Sequence, residues 1–231
     1  MWNNKKKAIT FSFDDGVKQD ERLIAILNKY GLKATFNINS SLLGLEGNLN
    51  WGERKIAHNK INPYDVKSVY QGHEVAVHTL THPNLTTLNK EAIEWQVECD
   101  RKVLSSLVGY EVKSMAYPCG HVNNDDRTAE IIKNGTGIQF VRTITHSYSF
   151  DLQDNLYRFN PTIHFMEWEK LFALAEEFLQ LKAEEPKLFY IWGHSYELDI
   201  TEGSWEKFEN FCALISGRED IFYGSNKEVL L

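Results

Sequence analysis

Cysteine is scarce in this sequence. Cys99, Cys119 and Cys212 are its three, an odd number, widely spaced and without a C-x-x-C pair. That argues against a disulfide framework and favours a reducing compartment. Basic clusters are equally few: Lys5-Lys6-Lys7 stands alone against a net charge of −7. A nucleic-acid partner is therefore not expected, and the triplet reads as a solvated lead-in. No apolar run approaches the ~18 to 20 residues that cross a bilayer, so no transmembrane segment is expected. The apolar core of an export signal is missing too, because Ala8 to Phe13 runs straight into two aspartates. The expectation is a chain without a signal peptide, with a cytoplasmic location slightly favoured. Repeats, low-complexity tracts and linkers are absent, which leaves residues 1–231 to be expected as a single domain.

What remains is an ordinary soluble composition, 42% hydrophobic and 25% charged over 231 residues, long enough to bury a large core. Strand Ala8–Phe13 is followed by a helix from Gln19 to Tyr30, with an apolar stripe of Leu23, Ile24, Leu27 and Tyr30 and with Gly31 at the C′ position. Strand Lys33–Ile38 leads into a long loop, Asn39–Asn62. A short helix starts at Asn62-Pro63 and ends at Gly72. Strand His73–Val77, a helix from Asn89 to Leu107, strand Val112–Tyr117, a helix from Asp125 to Lys133 and strand Ile138–Ile144 follow. Thr145–Ile163 reads as strand plus loop. Helix Glu167–Ala183, strand Leu188–Trp192, helix Ser204–Ile215 and strand Asp220–Tyr223 complete the chain. Strand and helix alternate about seven times, the pattern of an α/β fold with parallel strands and right-handed crossovers.

In such folds the chemistry gathers at the carboxyl ends of the strands. Five strand ends here carry informative residues: Asp14 and Asp15, His78 and His82, the turn Tyr117 to Gly120, Arg142, and His194. His78 closes the apolar run Glu74-Val75-Ala76-Val77, and Pro83 pushes His82 towards an extended or turn conformation. The two imidazoles thus lie on a strand-to-loop turn. That separates them from the H-E-x-x-H helix of zinc proteases, which also needs Glu where this chain has Thr79. Two histidines begin a metal site and a carboxylate would complete it. Asp14-Asp15-Gly16 offers two carboxylates whose side chains diverge on an extended backbone. Asp15 with His78 and His82 makes a His₂-carboxylate set for zinc or another divalent first-row ion, and Asp14 becomes a candidate base. Alone, Asp14-Asp15-Gly16 would read as a helix-capping turn. His194, after the apolar strand Leu188–Trp192, suits a general acid, its alternative being a buried histidine bonded to a carbonyl. Gly193-His194-Ser195 is not a G-x-S-x-G elbow. His58, His73, His121, His146 and His164 carry no motif, and His73 belongs on the structural face.

Four segments in order, Ser12-Phe13-Asp14-Asp15-Gly16, His78-Thr79-Leu80-Thr81-His82-Pro83, Tyr117-Pro118-Cys119-Gly120 and Trp192-Gly193-His194, resemble the polysaccharide deacetylases (NodB-like, carbohydrate esterase family 4). The resemblance spans most of the chain. It implies a single incomplete (β/α)₇ barrel and a metal-dependent carbohydrate deacetylase. It implies Asp14 as base, Asp15, His78 and His82 as metal ligands, and His194 as acid. The turn Tyr117, Pro118, Cys119 and Gly120 would line the acetyl site, with the Cys119 N–H on the oxyanion. The implied substrate is an N-acetylated amino sugar or its oligomer, with O-acetylated xylan second. The implied cofactor is a divalent ion, zinc before cobalt, nickel or manganese. Trp51, Trp168, Trp192 and Tyr148 are candidate stacking surfaces for a sugar ring.

The chain also departs from the family. Many members carry an arginine at the position of Ala116, where it pairs with the base; Arg142 is the expected substitute, with Arg158 second. The family's Asp-Trp motif that tunes the acid histidine is not evident, so nothing in the sequence says what orients His194. Cys119 stands where an aromatic is common and is expected to be a neutral turn residue. The alternatives to a deacetylase are an amidohydrolase of small cyclic amides and a non-catalytic carbohydrate-binding relative.

Overall fold

The computed structural model describes residues 2–231. In chain order the elements are β1 (Lys7–Asp14), α1 (Gln19–Lys29), β2 (Ala34–Ile38), β3 (Asn48–Trp51), β4 (Arg54–Ala57), α2 (Val66–Val69), β5 (Glu74–Val77), α3 (Lys90–Val108), β6 (Ser114–Ala116), α4 (Asp126–Gly135), β7 (Phe140–Arg142), β8 (Ile163–His164), α5 (Trp168–Gln180), β9 (Lys187–Gly193), α6 (Ser204–Ile215), β10 (Ile221–Tyr223) and α7 (Asn226–Leu230). Seven strands form a curled parallel sheet in the order β7-β6-β5-β2-β1-β9-β8. β10 runs beside the first residues of β1, from Lys7↔Ile221 to Ile9↔Tyr223, before β2 joins at Phe11↔Ala34. The end strands β7 and β8 do not pair among the described residues; β7 instead bridges to Phe159, ahead of β8, through Arg142. The barrel is therefore incomplete, as the sequence implied. No helix among the described residues is long and apolar enough to cross a membrane.

β1 is buried along its whole length, as expected for a parallel strand covered on both faces. Its period of two divides the molecule. Ile9, Phe11 and Phe13 join the large core beneath the helices, where Phe11 and Phe13 meet Phe208 of α6 at 6.2 and 6.1 Å between ring centroids. Ala8 joins a smaller apolar plug with Phe140, Phe159, Leu188 and Tyr190 inside the barrel. Above that plug the inward positions turn polar: Thr10 Oγ1 donates to Asn226 Oδ1 at 3.1 Å, Ser12 receives Arg142 and Asn37, and Asp14 reaches the mouth. One alternating strand thus supplies both the core and the floor of the site.

The structure corrects several sequence readings. Residues 39–62 are not a plain loop. A 3₁₀ turn, Ser40–Leu42, is followed by the antiparallel hairpin β3–β4, whose strands pair from Asn48↔Ala57 to Trp51↔Arg54 around Gly52. The polar, exposed strands hid the hairpin, because one buried position in β4 and none in β3 give no alternation to read. The helix expected to run on from Asn62-Pro63 is one short turn, α2. Asn62 Oδ1 accepts from Tyr64 N–H as a local turn instead of capping it. α7 had no counterpart in the sequence reading. Its capping box joins Ser225 and Glu228, and Asn226 closes the bottom of the barrel against Thr10 and Ser12.

Candidate active site

At the end of β1 the chain breaks from extended geometry. Asp15 has φ +84° and Gly16 φ +61°. A Cβ on Gly16 would sit 2.9 Å from Ile38 Cγ2, so only glycine fits there. The left-handed turn, not a continued strand, sends the two carboxylates apart. Asp14 points into the barrel and Asp15 towards the histidines. His82 is left-handed as well, at φ +62°, with its N–H on Thr79 Oγ1 at 3.1 Å. Pro83 removes the right-handed helical option and leaves this one open, so that of the extended and turn conformations expected for His82 the chain takes a turn. Thr79 and Cys119 share the same backbone region, at φ +68° and +70°. Such strain gathers where the surroundings over-determine the backbone.

Asp15, His78 and His82 bring one ligand atom each to within 4.8 Å of one another. His82 Nε2 is 3.7 Å and His78 Nε2 4.0 Å from Asp15 Oδ1. His78 Nδ1 donates to the Ala116 carbonyl at 2.9 Å, which fixes the tautomer and leaves the Nε2 lone pair free. Burial drives the His78 pKa down to about 4 and lowers that of His82, so both rings are neutral donors near pH 7. Asp15 is held ionised. Burial opposes its charge, but the His58 hydrogen bond, the nearby Lys60 ammonium, His194 and His78 together outweigh that and take its pKa well below the carboxylate range. Two neutral imidazoles and one carboxylate suit a divalent first-row cation.

Asp14 lies next to this group without joining it. Arg142, wholly buried, spans both of its oxygens through Nη2 at 2.5 Å, while Asn37 Nδ2 donates to Oδ1 at 2.8 Å. Burial raises the Asp14 pKa, and Arg142 together with His78 and His194 more than reverses it, so that it falls below the ordinary carboxylate value. Arg142 is held in turn by Ser12 Oγ, the Thr143 carbonyl and the Trp192 ring, whose centroid lies 4.4 Å from Cζ. Arg158 is engaged elsewhere, with Asp126 and Asn124.

Across the mouth, His194 Nε2 stands 4.0 Å from Asp14 Oδ2. Gly193 precedes it at φ +158°, where a Cβ would overlap the Phe165 ring at 2.2 Å. Burial disfavours the His194 imidazolium, yet Glu197, Asp15 and Asp14 raise its pKa to about 9. Glu197 answers the question the sequence left open. Its Oε2 accepts the His194 backbone N–H at 2.9 Å and lies 3.4 Å from His194 Nδ1 and 3.1 Å from His164 Nε2. Glu197 caps the 3₁₀ turn that His194 opens, but a histidine in place of Ser or Thr hides that box in the sequence, and nothing local announces the pairing with His164.

A cleft of about 250 Å³ joins these groups, lined by Asp14, Asp15, His78, His82, Tyr117, Cys119, Gly120, Ile144, Trp192, His194 and Tyr196. Pro118 does not line it. Its carbonyl accepts from Asn123 Nδ2, which also bonds the Tyr117 and Cys119 carbonyls and so shapes the turn. The Cys119 thiol donates to the His82 carbonyl at 3.4 Å, and burial with Asp15 raises its pKa, so it stays a neutral thiol. Of the aromatic candidates only Trp192 lines the cleft. Trp51 is 55% exposed on the hairpin, Tyr148 is also exposed, and Trp168 packs edge-on against Phe165. The sequence reading missed His58, Lys60, His164, Tyr196 and Glu197.

A model of the polysaccharide deacetylase family matches residues 2–139. A bifunctional xylanase/deacetylase of Pseudobutyrivibrio xylanivorans is 30% identical over 120 residues, which are 52% of this chain and 18% of that protein. The chain thus spans under a fifth of the length of that curated relative. Among solved structures, the family 4 carbohydrate esterase from Streptomyces lividans in complex with acetate superposes with a TM-score of 0.56 at 14% identity, covering 96% of this chain and 92% of that one. A CE4 family pseudoenzyme from Bacillus anthracis superposes with a TM-score of 0.60 at 18% identity, covering 99% and 66%. At these identities the structural likeness establishes the fold.

Proposed function

The chain belongs to the polysaccharide deacetylase family, and from that premise we propose that it is a metal-dependent hydrolase removing acetyl groups from N-acetylated amino sugars or their oligomers. The observation that carries this reading is the convergence of two separate sets on one cleft. Asp15, His78 and His82 form a ligand set, and Asp14 faces His194 at 4.0 Å as a proton-transfer pair. A divalent cation on the ligand set, zinc first and cobalt, nickel or manganese after it, supplies Lewis acidity that lowers the pKa of water towards ~7 and polarises an acetyl carbonyl.

The chain's own residues do the rest. Asp14, kept ionised by Arg142, accepts the proton of the water that adds to the acetyl carbon. The Cys119 N–H donates to the oxygen on which charge then develops. His194, charged at neutral pH through Glu197, gives its proton to the departing amine as the C–N bond breaks, leaving acetate and a free amino sugar. At about 250 Å³ the cleft is smaller than the ~300–1,000 Å³ usual for burying a whole ligand. It suits one acetamido group presented by a longer chain, with Trp192 against the sugar.

The pseudoenzyme of the same fold makes turnover the decisive measurement. Purified protein, stripped with chelator and reloaded with zinc or cobalt, is assayed for acetate released from acetylated chito-oligosaccharides and acetylated xylan, and for ring opening of cyclic ureides. Metal-dependent release from the N-acetylated series is expected. Turnover confined to the ureides, or glycan binding without turnover that Asp14→Ala leaves intact, would overturn the reading.

A further inference from the structure

The ligand set has an outer support that no motif announces. His58 follows β4 directly, at the foot of the β3–β4 hairpin. Its Nε2 lies 3.1 Å from Asp15 Oδ2, while both His78 and His82 face the other oxygen, Oδ1. The two oxygens of Asp15 are therefore divided between an inward and an outward task. Lys60 does not compete for Oδ2. Its ammonium donates to the Asp15 backbone carbonyl at 2.7 Å and stays 3.5 Å from Oδ1. That bond holds the Asp15 peptide in its left-handed turn.

The hairpin that delivers His58 is fastened to the barrel on several sides. Ile61 N–H donates to the Gly16 carbonyl and Lys18 N–H to the Asn59 carbonyl, at 2.9 and 2.8 Å. Gln19 Nε2 reaches the Ala57 carbonyl at 2.7 Å, and Arg54 Nη1 reaches the Ile200 carbonyl at 2.5 Å. The His58 ring packs edge-on against Tyr196 at 5.0 Å between centroids, which limits its rotation. Its ring atoms are not among those within 4.8 Å of both ligand histidines. That separates outer support from direct ligation.

We infer that His58 is a positioning residue for the metal ligand Asp15, its Nε2–H fixing Oδ2 so that Oδ1 is presented to the cation. The inference rests on the ligand set assigned above. A carboxylate that rotates freely loses part of its binding free energy to ordering, and outer-shell partners of this type are worth ~10–100-fold in metal affinity.

The test measures cobalt binding by competition with a chromophoric chelator and records the visible d–d spectrum of the cobalt protein. His58→Ala should weaken binding by ~10–100-fold and alter the spectrum. His58→Gln, whose amide donates from nearly the same place, should recover most of the affinity and the parent spectrum. Circular dichroism establishes that both variants fold. If the parent binds cobalt and His58→Ala binds it equally with an unchanged spectrum, the positioning role is overturned and the ligand set stands. If His58→Gln loses as much as His58→Ala, His58 is a ligand and not a support. A parent that binds no cobalt overturns the ligand set and this inference together.

Discussion

Two groups of two histidines and one carboxylate stand on the same rim, Asp15 with His78 and His82, and Glu197 with His164 and His194. Their residue types match, and the second ring nitrogen sets them apart. In the first group His78 gives its Nδ1–H to a carbonyl, so Nε2 offers a lone pair to the centre. In the second, His164 Nδ1 accepts from the Met166 N–H at 3.3 Å, so Nε2 carries the proton and donates it to Glu197. Burial holds the first group's rings neutral, whereas carboxylates hold His194 charged. Composition alone would call both metal sites. Hydrogen-bond direction suits the first to ligation and the second to holding a proton.

Substitutions in the two groups should therefore separate metal content from turnover. His78→Ala should lose both bound metal, measured by atomic absorption, and all acetate release above background. His194→Ala should lose ~10²–10⁴-fold in kcat with full metal occupancy. If His194→Ala also emptied the site, the division between the groups would fail.

Arg142 stabilises the carboxylate between them. Arg142→Met leaves Asp14 buried beside Asn37 without a cation. Chemical denaturation should show a loss of ~3–5 kcal/mol, the usual cost of breaking a buried pair by removing one partner. It should also move the acidic limb of the rate profile upward as Asp14 becomes easier to protonate.

A smaller effect sharpens the second group. With His194 at about 9, kcat/KM should hold through neutrality and fall only near that pH, as the acid loses its proton. Glu197→Gln removes the nearest charge and should bring that limb down, each unit being worth ~1.4 kcal/mol. An unmoved limb would detach Glu197 from His194.

The weakest signature is the stability of the metal-free protein, where the groups have opposite slopes. His194 has a folded pKa raised above its ordinary value of 6.5, so its contribution is complete below 6.5 and lost as pH rises through about 9. His78 has a folded pKa lowered to about 4, so its contribution is complete above 6.5 and lost as pH falls towards 4. Melting curves of Glu197→Gln and His78→Gln should flatten the alkaline and acid sides respectively.

Much of this was legible from the chain itself. Asp14 and Asp15 end one apolar run, His78 another and His194 a third, and parallel-sheet topology sends all three ends to one mouth. Arg142 was readable for the same reason, as the last residue of β7. His58 was hidden because it follows a hairpin of exposed polar residues with no alternation. His164 was hidden because β8 is only two residues long. Glu197 lies three residues from His194, but spacing does not say that a glutamate caps a 3₁₀ turn and not open solvent.

The sequence by itself determined the parallel α/β sheet, the mouth at its strand ends and the residue types gathered there, because hydrophobic periodicity and strand direction are local properties that topology carries to a common end. Only the tertiary structure decided which histidine holds a proton and which offers a lone pair. That choice belongs to the partner of the second ring nitrogen, and for His78 and His194 alike the decisive partner is an oxygen whose position depends on how distant or irregular backbone folds back on the strand.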